Sequence, residues 1–152
     1  MKRAIRTLPA SQWNSAAAID CVRLDSDERQ RRRSVLTGEN GMKVLLDLPR
    51  PTRLHDGDGL VLEDGTIVSV AGRPEPLIEI TAPDPHRLAR LAWHLGNRHA
   101  DVQIVGDKLR IRRDHVLEEM LRGLGAELAP VEAPFDPEGG AYHRNDEHSD
   151  GG

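Results

Sequence analysis

Apolar and polar residues alternate with a period near two through much of residues 1–75, then change to a helical period at two places further on. In the first half, residues 16–24 are expected to form a strand with Ile19, Cys21 and Arg23 on one face. Residues 34–37 and 42–48 read as a hairpin around Asn40-Gly41, a pair suited to the positive φ of a tight turn. Pro49 and Pro51 are expected to stop its second strand, because proline cannot donate to a ladder. A second hairpin is predicted from residues 60–62 and 66–70 around Asp64-Gly65. His55-Asp56-Gly57-Asp58-Gly59 has neither the glycine spacing nor the closing glutamate of a calcium loop and reads as a turn. This half is therefore expected to be a small all-β domain of five or six strands, over residues 1–74.

Gly72-Arg73-Pro74-Glu75-Pro76 reads as a linker. Residues 77–81 alternate as a strand. Leu88, Leu91, Ala92 and Leu95 then recur at helical spacing, with Asp84 as N-cap, Pro85 at the first helical position and Gly96 as the expected C-terminal cap. Residues 102–105 and 108–111 are predicted strands joined at Gly106-Asp107. Asp114 caps a second predicted helix with Glu118 and Glu119 near its start and Leu117, Met120, Leu121 and Leu124 on its apolar face. Gly123 or Gly125 ends it, and residues 126–131 supply a last strand. The order strand, helix, strand, strand, helix, strand predicts a ferredoxin-like βαββαβ domain over residues 75–135, within an α+β chain. Both helices would cover one face of its sheet, leaving the other for the first domain or a second copy of the chain. Residues 136–152 are rich in glycine and charge and are expected to be a flexible tail.

Composition narrows the function. A formal charge of −4 disfavours generic nucleic-acid binding, and one cysteine excludes an intrachain disulfide and fits a reducing compartment. With no long apolar run and no apolar leader, the expectation is a soluble cytoplasmic protein away from membranes. Cys21 reads as a small strand residue rather than a nucleophile. Residues 25–33, DSDERQRRR, read as a charged turn whose four arginines form a solvated face, with an acidic partner surface as the other reading.

Seven histidines remain. His94 and His99 are five residues apart, about 140° on a continuous helix, so they would not face one metal together. His94 reads as a surface or capping residue. His99 falls near the edge of the leucine stripe and is either a satisfied core residue or a ligand at a self-association surface. His115 opens the second helix, where Asp114 could orient it as a ligand or leave it a plain surface residue. His143 and His148 flank Asp146 and Glu147 in the tail and could close over a metal held elsewhere. His55 and His86 sit in turns with no assigned role. No standard zinc spacing occurs, and no nucleophile–base set supports an enzyme. On a two-fold axis, however, one histidine per chain becomes two ligands.

Three stretches carry a resemblance: HLGNRH at 94–99, RRDHVLEEML at 112–121 and PFDPEGGAY at 134–142. Together they resemble the urease nickel metallochaperone family, UreE. The resemblance implies a homodimer whose N-terminal β domain contacts protein or peptide partners and whose C-terminal domain is ferredoxin-like. It implies that His99 is the principal nickel ligand, given by both subunits at the dimer axis, and that His115 belongs to an accessory site. Some members carry a further histidine before Asp-His, where this chain has Arg113. His143 and His148 stand where many members have a longer histidine-rich tail. The cargo would be Ni²⁺, with Zn²⁺ or Cu²⁺ competing for imidazole. The partners would be the urease accessory GTPase and the urease apoprotein, and binding would weaken in acid as protons compete with metal. The alternative is a protein- or peptide-binding adaptor that holds no metal. An RNA-binding ferredoxin-like domain would need stacking aromatics, which residues 102–105 and 108–111 lack.

Overall fold

The structure is a computed structural model that describes residues 1–139. The chain divides into two compact units, Met1–Arg73 and Pro74–Glu138. Together they are α+β, strand-rich with two α-helices.

Six strands form the first unit: β1 (Lys2–Leu8), β2 (Cys21–Leu24), β3 (Gln30–Thr37), β4 (Lys43–Arg53), β5 (Gly59–Leu62) and β6 (Ile67–Gly72). They make one sheet in the order β2-β6-β5-β1-β4-β3. Alternate residues turn to one side, so Val22 and Leu24, Val44 and Leu46, and Val68 and Val70 share one buried core. Both predicted hairpins are present, with Gly41 at φ 91° and Gly65 at φ 88°.

Three local expectations fail. Only Cys21–Leu24 of residues 16–24 is a strand, and its buried face holds Val22 and Leu24 while Ile19 and Arg23 face outward. β1, over residues for which no element was predicted, pairs parallel with β4 and antiparallel with β5. Pro49 and Pro51 do not end β4. The ladder from β3 is broken between the pairs Arg31–Thr52 and Arg33–Asp47, so both prolines sit in a bulge where no donor is needed. Finally, Arg29 is not solvated. It is fully buried, and its guanidinium reaches the carbonyls of Asp25 and Leu54.

The second unit runs β7 (Pro74–Thr81), α1 (Pro85–Asn97), β8 (Gln103–Val105), β9 (Lys108–Arg112), α2 (His115–Gly123) and β10 (Glu127–Pro134). Its sheet order is β10-β7-β9-β8 with every neighbouring pair antiparallel, the ferredoxin-like arrangement. The expected linker is absent: β6 ends at Gly72 and β7 begins at Pro74. Ile78, Ile80, Leu109 and Ile111 face Leu91 and Leu95 of α1 and Leu121 of α2. Leu124 is not on that apolar face; it caps the helix and is exposed. Asp84 accepts the Arg87 N–H, as its N-cap position predicts.

The opposite sheet face carries charge. Arg110 and Lys108 pair with Glu79 at 2.9 and 3.3 Å, and Arg112 pairs with Glu75 at 3.3 Å. The chain after β10 crosses this region. Phe135 is fully buried with its ring under the Arg112 guanidinium at 5.0 Å, the Asp136 N–H donates to Gln103, and the Glu138 N–H donates to the Val102 carbonyl. Residues 135–138 are therefore pinned rather than part of a loose tail.

Candidate metal site

α1 does not end at Gly96. The helix continues to Asn97, Arg98 is its C-cap at φ −100°, and His99 takes φ 57°. The His99 N–H reaches the Gly96 carbonyl at 3.0 Å and the Ala100 N–H reaches Leu95 at 3.1 Å, the paired bonds of a Schellman helix end. His99 thus occupies the left-handed position that usually goes to glycine. Among the described residues it is the one non-glycine at positive φ. A side chain there costs about 1–2 kcal/mol, and such strain concentrates at functional positions. The turn also removes His99 from the helix, so it is exposed and lies off the leucine stripe.

The reversal changes its neighbours. His94, Asn97, Arg98, His99 and Ala100 from the end of α1 line one groove with Asp114, Val116 and Leu117 from the start of α2, a volume of about 790 Å³. His94 and His99 therefore both line one surface concavity, with no third His, Cys, Asp or Glu converging on them among the described residues. His94 is half-buried, with the Trp93 ring edge-on to it at 5.1 Å and 82°. His94, read from the sequence as a surface or capping residue, lies within α1 and lines this groove.

His115 is the first residue of α2, exposed, and is not among the residues lining that groove. The Asp114 carboxylate accepts the N–H groups of Val116 and Leu117 at 3.0 and 3.1 Å, so its role is the helix cap. Arg113 is engaged with Glu118, at 3.2 and 3.3 Å, and Glu118 also accepts the Asp114 N–H at 2.8 Å. The Arg113 guanidinium holds the buried Glu118 carboxyl below its ordinary range. This latch fixes the α2 rim of the groove. His143 and His148 lie outside the described residues. Among the described residues no group of three or more His, Cys, Asp or Glu side chains converges on one point. A separate cavity of about 510 Å³ between α1 and β8 contains no histidine.

Comparison with known proteins agrees with both units. Residues 1–72 match the family model for the UreE urease accessory protein N-terminal domain, and residues 75–152 match that for its C-terminal domain. The chain belongs to the UreE family. It is 58% identical over 142 residues to the urease accessory protein UreE of Bradyrhizobium sp. (strain ORS 278), covering 93% of this chain and 67% of that protein. It is 49% identical to those of Beijerinckia indica, over 142 residues, and Chelativorans sp., over 134, covering 82% and 85% of each. Family membership places the chain among urease accessory proteins. Among the described residues no helix is long and apolar enough to cross a membrane.

Proposed function

We infer that this protein is a nickel metallochaperone for urease maturation, a carrier rather than a catalyst. His99 is its principal ligand. The observation that carries this reading is the left-handed, exposed His99 at the end of α1, on a groove that also holds His94. A side chain held at a strained helix end is fixed in direction, and imidazole without thiolate suits an ion that must later be given up.

The carrier is a homodimer with its two-fold axis near His99, so each copy supplies that imidazole to one Ni²⁺. His115, at the exposed start of α2, serves an accessory site, and His143 and His148 complete or shield the central one. Ni²⁺ passes through the urease accessory GTPase to the urease apoprotein in the cytoplasm. Zn²⁺ and Cu²⁺ compete, because imidazole binds both in the same part of the Irving–Williams order.

The test is urease activation in cells that express urease and its other accessory proteins without their own nickel carrier. Supplying this chain restores activity at limiting nickel, and the His99→Ala variant does not. Equal restoration by both would remove His99 from the delivery route.

A further inference from the structure

Arginines of the N-terminal unit gather at one end of its sheet. β1 runs parallel to β4 and β3 runs antiparallel to it, so the last residues of β1 and β4 lie beside the first of β3. Arg6, Arg50, Arg31, Arg32 and Arg33 all belong to that end. A cleft of about 270 Å³ opens there, lined by Ile5, Arg6, Thr7, Pro49, Arg50 and Thr52 among others, and no carboxylate lines it. Thr52 is the register partner of Arg31, and Arg32 stands opposite the bulge formed by residues 48–51.

The balance of charge sets this end apart. Elsewhere on the sheet Lys2 is matched by Asp64 at 2.6 Å and Arg3 by Asp47 at 3.6 Å. Arg33 reaches the same Asp47 only at 4.0 Å. Arg6 and Arg32 are exposed, and neither side chain has an ion-pair partner among the described residues. Arg6 on β1 and Arg32 on β3 stand on either side of β4, so two exposed, unmatched cations flank the cleft strand, where an anionic partner can meet both. β3 is also the outermost strand of the sheet, so its free edge offers backbone donors and acceptors, and Val35 on it is 53% exposed.

We propose that this end of the sheet docks an extended acidic segment of a partner protein. Arg6 and Arg32 meet its carboxylates, Ile5 and Pro49 meet its apolar side chains, and the edge of β3 pairs with its backbone. A polypeptide is favoured over nucleic acid on three grounds. No aromatic ring lines the cleft for base stacking, the chain as a whole carries −4, and a strand edge bonds a peptide backbone. None of these arginines belongs to the histidine groove, so docking does not depend on metal.

The probe is a fluorescein-labelled peptide of alternating glutamate and valine, followed by fluorescence anisotropy with the full-length chain. At about 50 mM salt the parent binds it, and binding weakens steeply as salt rises and the Debye length shortens. Arg6→Glu with Arg32→Glu weakens binding at least about tenfold, whereas Arg87→Glu with Arg90→Glu, an equal charge change in the other unit, weakens it less than about threefold. If the first pair of substitutions lowers the melting temperature, Arg6→Gln with Arg32→Gln keeps the side-chain bulk and still weakens binding about three- to fivefold. Absence of binding by the parent, equal losses in both charge-reversed pairs, or stronger binding of a thymidine oligonucleotide of the same charge would each overturn the proposal.

Discussion

His99 and Gly125 hold the same position in two matching helix ends. The Gly125 N–H reaches the Arg122 carbonyl at 3.0 Å and the Ala126 N–H reaches Leu121 at 3.0 Å, with Gly125 at φ 89°. The His99 end repeats those bonds one for one. α2 closes with the residue that left-handed geometry favours, and α1 closes with one that geometry penalises. If packing alone governed the end of α1, glycine would serve it better. His99→Gly is therefore expected to leave stability unchanged or raise it by up to about 1 kcal/mol, the strain relief being partly offset by unfolded-chain entropy. Gly125→Ala is expected to lose about 1–2 kcal/mol. Urea unfolding of the two variants and the parent checks the contrast.

Acid should weaken the latch below the groove. Arg113 holds the Glu118 carboxyl below its ordinary value of 4.5, and the buried group also accepts the Asp114 N–H. A lowered folded value means that the folded state favours the charged form. Its contribution is complete above 4.5 and is lost as pH falls through the lower folded value. Glu118→Gln is expected to lose about 1–2 kcal/mol near neutrality and to show a flatter stability profile below the ordinary glutamate range. Glu79, lowered in the same direction by Arg110, leaves part of the slope in place. Melting temperatures at stepped pH read both effects.

Phe135 lies on the charged face of the C-terminal sheet, opposite the helices. It is fully buried and meets Arg112 of β9. Phe135→Ala is expected to cost about 3–5 kcal/mol, the usual range for emptying such a site. Chemical denaturation measures it, and a loss near zero would show that residues after β10 add nothing to the unit.

His115 and His99 should separate in a binding experiment. They sit on different helix ends, and only His99 lines the groove. Equilibrium dialysis over a wide nickel range is expected to show that His115→Ala binds fewer ions at high nickel while keeping the tightest step. Loss of the tightest step in that variant would move the principal site to α2.

Much of this architecture was legible in the chain. Alternation and turn pairs marked both hairpins, because Asn40-Gly41 and Asp64-Gly65 have few other uses. The caps at Asp84 and Asp114 and the leucine spacing marked both helices. Long-range facts were not legible. β1 needs two distant partners to be a strand, the prolines of β4 are tolerated only because β3 leaves them a bulge, and Arg29 is held in part by the carbonyl of Leu54, remote in sequence. At the site, HLGNRH marked His99, but nothing local shows that the helix passes Gly96 and turns left-handed at a histidine. That turn is what sets His99 beside the start of α2.

The most direct measurement is calorimetric titration of Ni²⁺ into the parent, His99→Gly and His99→Ala, with the oligomeric state followed by sedimentation. The account predicts one tight ion per dimer for the parent. It predicts loss of that step in both variants, each still folded, with His99→Gly no less stable than the parent. Tight binding retained by both variants would contradict the assignment of His99, and no tight step in the parent would contradict the nickel carrier itself.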